Sequence, residues 1–130
     1  MSPTPAEPSA PCPDLRALTR RYLELSNAGE LQAIAGMFAE DATYGSTNVG
    51  GHRGRAAITR MMTEFFGRYE ELAWETGPLI PVGDRSVAFD FTRRCRERGA
   101  DASIEVRGHE RLDFTDEGLI RHVEVEAPRG

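Results

Sequence analysis

Glu110 is the residue of this sequence whose surroundings most directly suggest chemistry. Over residues 102–114 polar and apolar side chains alternate with the period of a strand. One face carries Glu105, Arg107, His109, Arg111 and Asp113; the other carries Ile104, Val106, Gly108, Glu110, Leu112 and Phe114. Glu110 is thus the single charge on an apolar face. A carboxylate in such a place either finds hydrogen-bond partners or keeps its proton, because desolvation disfavours the ion. A carboxylic acid neutral near pH 7 can donate to an oxygen that gains charge during a reaction. Tyr22 sits among Leu15, Leu18 and Leu25 on one face of a helical pattern, so its hydroxyl is a second polar group aimed inward. His52, in a Gly-rich stretch, has a side chain whose ordinary titration suits proton transfer near neutrality. Each has a plainer reading beside it: a structural carboxylate, a core tyrosine satisfying its hydroxyl, a loop histidine with no role.

The elements that must hold these groups follow from periodicity and breakers. Asp14 is the expected N-cap of a first helix, and Asn27-Ala28-Gly29 its stop. Leu31, Ile34 and Phe38 form the inward stripe of a shorter second helix, and Ala42-Thr43-Tyr44 turns extended. Residues 55–69 read as a third helix whose inward side, Ile58, Met61, Met62, Phe65, Phe66 and Tyr69, is broad enough to wall a cavity as well as a core. Three strands follow over 85–97, 102–114 and 119–127, with turns at Arg98-Gly99-Ala100-Asp101 and Thr115-Asp116-Glu117-Gly118. The expected class is α+β: helices covering one face of a mostly antiparallel sheet.

The run RRYLELSNAGELQAIAGMFAEDATYGS, followed by VGGHRGRAAITRMM, LAWE, AFDFT and ERLDFTDEGLIRHVEV, resembles the NTF2-like superfamily, in particular its ketosteroid isomerase and SnoaL-like branches. The resemblance covers residues 15 to 125 and implies a cone: three N-terminal helices packed on a curved, antiparallel-rich sheet that encloses an apolar pocket. In ketosteroid isomerases a tyrosine of the first helix and a protonated acid of this strand form an oxyanion hole; the matching positions here are Tyr22 and Glu110. The branch's general base, an aspartate two residues beyond the position of Tyr44, is Ser46 in this chain, which argues against strict steroid isomerisation. His52 is the candidate substitute. The lining implied for the pocket is Phe38, Tyr44 and Ser46 from the first strand region, Met62, Phe66 and Trp74, and Phe89, Phe91, Val106, Leu112 and Val123 from the sheet.

Composition narrows the classes further. At 130 residues the chain suits one domain, expected over 14–127 behind a Pro-, Ala- and Ser-rich tail at 1–13. A net charge of −5 with no aromatic-basic interleaving argues against nucleic acid, and Arg93, Arg94, Arg96 and Arg98 read as a solvated strand end or part of an interface. No apolar run could span a membrane and no leader pattern is present, which points to a cytoplasmic protein. Cys12 and Cys95 are not an expected pair, and the histidines of adjacent strands, His109 and His122, lack a third ligand, so neither a disulfide, a metal nor another cofactor is expected. There is no lysine, which removes Schiff-base chemistry. The mixed-sign outer stripe suits a homodimer. Three readings stay open. The first is isomerisation, cyclisation or dehydration of a small apolar carbonyl compound. The second is a ligand-binding or scaffold module without catalysis. The third is an epoxide hydrolase, which needs aspartates in the pocket where Asp90 and Asp113 are expected to face outward.

Overall fold

A computed structural model describes residues 14–47 and 49–127; the expected tail at 1–13 lies outside them. Asp14 caps the first helix, α1 (Leu15–Ala28), by accepting from the backbone N–H of Ala17 at 3.1 Å. Gly29 ends it with φ 70°, a left-handed conformation that costs a residue without Cβ little. The buried stripe of α1 is Thr19, Tyr22, Leu23 and Ser26, with Leu15, Leu18 and Leu25 only partly buried. The helix is therefore turned toward its hydroxyl-bearing side. Thr19 and Ser26 satisfy their hydroxyls on the carbonyls of Leu15 and Tyr22.

The second helix, α2 (Leu31–Ala35), stops at Gly36. Phe38 accordingly opens the strand β1 (Phe38–Ser46) rather than continuing a helical stripe. A short β2 (Gly50–Arg53) leads to α3 (Arg55–Gly67), and Tyr69 belongs not to that helix but to β3 (Tyr69–Thr76). The chain continues through β4 (Ile80–Val82), β5 (Ser86–Glu97), β6 (Ile104–Phe114) and β7 (Ile120–Glu126). The seven strands form one sheet in the order β2-β1-β7-β6-β5-β3, with β4 paired to β5. Every pairing is antiparallel except β1 with β7. The expected α+β cone of three helices on a curved, mostly antiparallel sheet is what the chain forms.

The helices cover one sheet face. The core there holds Ile34, Phe38, Ile58, Val87, Phe89, Leu112, Phe114, Ile120 and Val123, each essentially inaccessible. Burying side chains of this size contributes about 1.5–3 kcal/mol each. Asn27 has a joint role beyond ending α1: its side chain accepts from Trp74 N–H at 2.7 Å and donates to Trp74 C=O at 3.1 Å, fixing β3 against the helix end. On the outer face the stripe is mixed in sign, with Arg94–Glu105 and His109–Asp90 pairs across β5 and β6. Thr43, His122 and Glu124 form a hydrogen-bonded chain there, at 2.6 and 2.8 Å. Among the described residues no helix is long and apolar enough to cross a membrane.

Candidate functional site

Register on the concave face decides which residues meet. Glu110 on β6 lies opposite Phe89 on β5 and Val125 on β7, and Val125 in turn lies opposite Ser46 on β1. These four residues make one cross-strand row. Tyr44, Val123, Leu112 and Val87 make the next. Phe89 of the first row and Val87, Leu112 and Val123 of the second are fully buried core. The remaining members of the two rows, Tyr44, Ser46, Glu110 and Val125, wall a cavity of about 50 Å³ together with Tyr22, Leu23, Met61, Met62, Phe65, Phe66, Trp74, Phe91 and Arg93, among others. That volume is close to the share of one or two waters and far below the roughly 300 Å³ at which small-molecule pockets begin.

The structure thus brings Tyr22, Tyr44, Ser46, Met62, Phe66, Trp74, Phe91 and Glu110 together around one space. Five expected lining residues do not reach it: four of them, Phe38, Phe89, Leu112 and Val123, are fully buried and fill the adjoining core. The fifth, Val106, is half-buried near the start of β6, where Ile104 is 56% exposed. His52 also stands apart from the lining. It lies on strand β2 opposite Tyr44, not in a loop, and its Nε2–H donates to the Val49 carbonyl at 2.9 Å.

Arg93 is the residue that sequence reasoning misplaced. Its neighbours Arg94, Arg96 and Arg98 drew it into a surface cluster, yet it shares strand parity with Phe89 and Phe91 and points inward, 7% exposed. Counting two residues on from Phe91 was the signal available. Its guanidinium carbon stands 5.2 Å from the centre of the Phe65 ring, a cation–π distance. Its Nε is buried with no hydrogen-bond partner among the described residues.

The electrostatics of the wall are those of a neutral acid among phenols. Burial pushes the Glu110 carboxyl up from 4.5 to about 8, and Arg93 pulls it only part of the way back. Tyr22 is raised well above the ordinary phenol value by burial, then by Tyr44 and Glu110. Tyr44 is raised by burial and by Glu110, with Arg93 opposing. Near pH 7 the cavity therefore presents a carboxylic acid and two phenols, all protonated, and one guanidinium. Tyr22 is held from behind by the edge of the Phe38 ring, with centroids 6.1 Å apart.

A larger depression, about 810 Å³, lies mainly on the outer sheet face and is lined by Asp90, Thr92, Arg107, His109 and Glu126, with Phe91 and Gly108 at its floor. It is an open groove containing none of the buried acid and phenol groups, so the smaller internal cavity is the site where a reacting oxygen could be shielded from water. Asp90 is exposed and paired with His109, and Asp113 is bound by Ser86 and Arg111. Neither aspartate lines the cavity. No group of three or more histidine, cysteine or acidic side chains suited to a metal occurs among the described residues.

The sequence pattern of the SnoaL-like domain matches residues 19–123. Among solved structures, the epoxide hydrolase/cyclase-like enzyme SalBIII, described in pyran ring formation in the polyether salinomycin, superimposes with a TM-score of 0.79 at 23% identity, covering 88% of this chain and 90% of that one. AclR, a putative hydroxylase from Streptomyces galilaeus, gives 0.74 at 16% identity, with 88% and 89% covered. An NTF2-like protein of unknown function from Exiguobacterium sp. 255-15 gives 0.77 at 12% identity, with 87% and 99% covered. No curated protein matches the sequence. At these identities the structural likeness is one of fold, and the sequence match extends over most of the chain: it belongs to the SnoaL-like domain family of the NTF2-like superfamily.

Proposed function

We propose that this protein is a cofactor-independent acid–base enzyme that isomerises, cyclises or dehydrates a small apolar carbonyl compound in its internal cavity. The observation that carries the reading is the Glu110 carboxyl, buried in an apolar wall and held protonated at neutral pH beside two phenols. Glu110 donates its proton to the reacting oxygen, and Tyr22 and Tyr44 donate hydrogen bonds to it. A donor of this kind is worth about 3 kcal/mol of barrier in well-studied sites. With His52 outside the lining, Glu110 is the one carboxyl and the one group of suitable basicity among the described wall residues. The same residue then recovers a proton from the substrate. In a dehydration the hydroxyl leaves as water and the carboxylate takes the proton of the neighbouring carbon. In a cyclisation it takes the proton of the attacking hydroxyl. Each turnover returns Glu110 to its acid form.

Entry of a substrate needs room that about 50 Å³ does not supply. Met61 and Met62 form the adaptable part of the wall, since thioether side chains change shape at little cost. A second reading, opening of an epoxide, is favoured by Arg93 standing inside the cavity with Glu110 and by the likeness to SalBIII. The absence of Asp90 and Asp113 from the described lining ranks it below the first. A binding module without catalysis is the third reading, supported by Ser46 at the position where the resemblance implies a base. The outer face, with its paired charges across β5 and β6, is proposed to meet a second copy across a two-fold axis; a strictly monomeric mass by light scattering at micromolar concentration would remove that part.

The deciding measurement is titration of Glu110 by carbon-13 carboxyl NMR, with and without 2-naphthol as a mimic of an enolate oxygen. The expected result is a midpoint near 8 that moves when the phenol binds. An ordinary midpoint with no response would place the carboxyl in water and overturn the acid–base reading.

A further inference from the structure

Acid–base chemistry at Glu110 leaves Arg93 without a task, and its surroundings define one. A guanidinium stays charged at any accessible pH and is expensive to bury without a counter-charge. Arg93 is 93% removed from solvent by its 7% exposure, and Phe65 offers it only a ring face. The titratable groups facing the cavity are Glu110 on β6, Tyr44 on β1 and Tyr22 on α1; the α3 wall contributes Met61, Met62 and Phe65, and β3 contributes Trp74. Among the described residues no carboxylate forms an ion pair with Arg93, and its Nε is an unpartnered buried donor on the wall. A planar fork of N–H donors with nothing to bind suits a planar oxyanion, which it can take through two parallel hydrogen bonds.

We infer that the cavity recognises a ligand with an apolar body and one carboxylate, the carboxylate seated on Arg93 and the rest of the molecule against Met62, Phe66 and Trp74. This deepens the acid–base reading, on which it rests, by naming the substrate class. The carboxylate would supply the counter-charge that the protein itself withholds while Glu110 is protonated. Once Glu110 ionises, its own charge answers Arg93, and a second carboxylate competes for one guanidinium. Tyr22 and Tyr44 stay neutral throughout, since burial raises both. Affinity for the anion therefore falls with rising pH above the Glu110 midpoint.

Cyclohexanecarboxylate and cyclohexanecarboxamide form a matched pair of probes that differ in charge and leave Trp74, the one tryptophan, as a fluorescent reporter on the wall. At pH 6.5 calorimetry and Trp74 fluorescence are expected to give the carboxylate about tenfold or greater preference over the amide. The preference should vanish in Arg93→Met and persist in Arg93→Lys, which keeps the charge and shows that the fold survives change at this position. With a midpoint of about 8, carboxylate affinity should fall by about 15-fold in all from pH 8 to 9.5 in the wild type and stay level in Glu110→Gln. Equal affinity for the two probes, a preference that survives Arg93→Met, or binding of neither overturns the inference. Equal binding of acid and amide would leave the acid–base reading standing, because the Glu110 titration tests that separately.

Discussion

Arg93 and Glu110 project from neighbouring strands into one cavity, 7% and 5% exposed, and they do not form an ion pair among the described residues. Phe89 is the direct cross-strand partner of Glu110, and Arg93 stands two inward-facing positions further along β5. The cation is near enough to lower the Glu110 midpoint but not to cancel the effect of burial, so the acid keeps its proton through neutrality.

Stability should therefore fall as pH rises across the neutral range. In the unfolded chain Glu110 releases its proton near 4.5; in the folded protein it holds it to about 8. Between those values the native state binds more protons, so the contribution is full below 4.5, declines through the interval and levels off above 8. The slope is about 1.4 kcal/mol per pH unit from this group. Urea denaturation at half-unit steps is the measurement, with Glu110→Gln as the control in which the slope disappears.

Tyr22→Phe should separate chemistry from packing. The ring stays against Phe38, so the melting temperature should change little, while the donor to the reacting oxygen is lost. Loss of one such donor costs about 100-fold or more in kcat. Turnover unchanged in a folded Tyr22→Phe protein would exclude the hydroxyl from the reaction.

His52→Ala should leave ligand binding and turnover within about twofold of wild type. The imidazole is tied to the Val49 carbonyl and stands outside the described lining, so it holds local backbone rather than a substrate proton. The cost should be confined to stability, about 1 kcal/mol for one partly buried hydrogen bond. A collapse of kcat with an unchanged melting temperature would restore His52 as the base.

Gly108→Ala should damage the site from behind. Phe91 lies across from Gly108, and a Cβ there would come within 2.6 Å of both the Phe91 ring and the Glu126 carbonyl. The carbonyl is backbone and cannot swing away, so the strand must shift or the ring must move into the cavity it helps to wall. Overpacking of this kind costs about 1–3 kcal/mol. Differential scanning calorimetry and probe binding should both register the change.

The periodicities of the sequence determine the existence and order of the main elements: α1 between Asp14 and Gly29, the broad α3, and the β5–β6–β7 meander between its two turns. They also single out Glu110, since an alternating strand declares a charge on its apolar face without reference to anything else in the chain. Local chemistry carries this much because caps, turns and strand parity are set by residues a few positions apart. Tertiary structure decided the rest. Phe38 left the helix because Gly36 ended it and β7 offered a partner. His52 shares a sheet face with its partner Tyr44, yet its ring is tied to the Val49 carbonyl and stays outside the described lining. Phe89 and Leu112 became solid core while Phe91 became cavity wall, although all three face inward, because what packs over each differs even within one cross-strand row. Arg93 entered the cavity on strand parity, against the pull of its charged neighbours. No sequence window contains those relations, since each depends on which distant segment packs opposite and how closely.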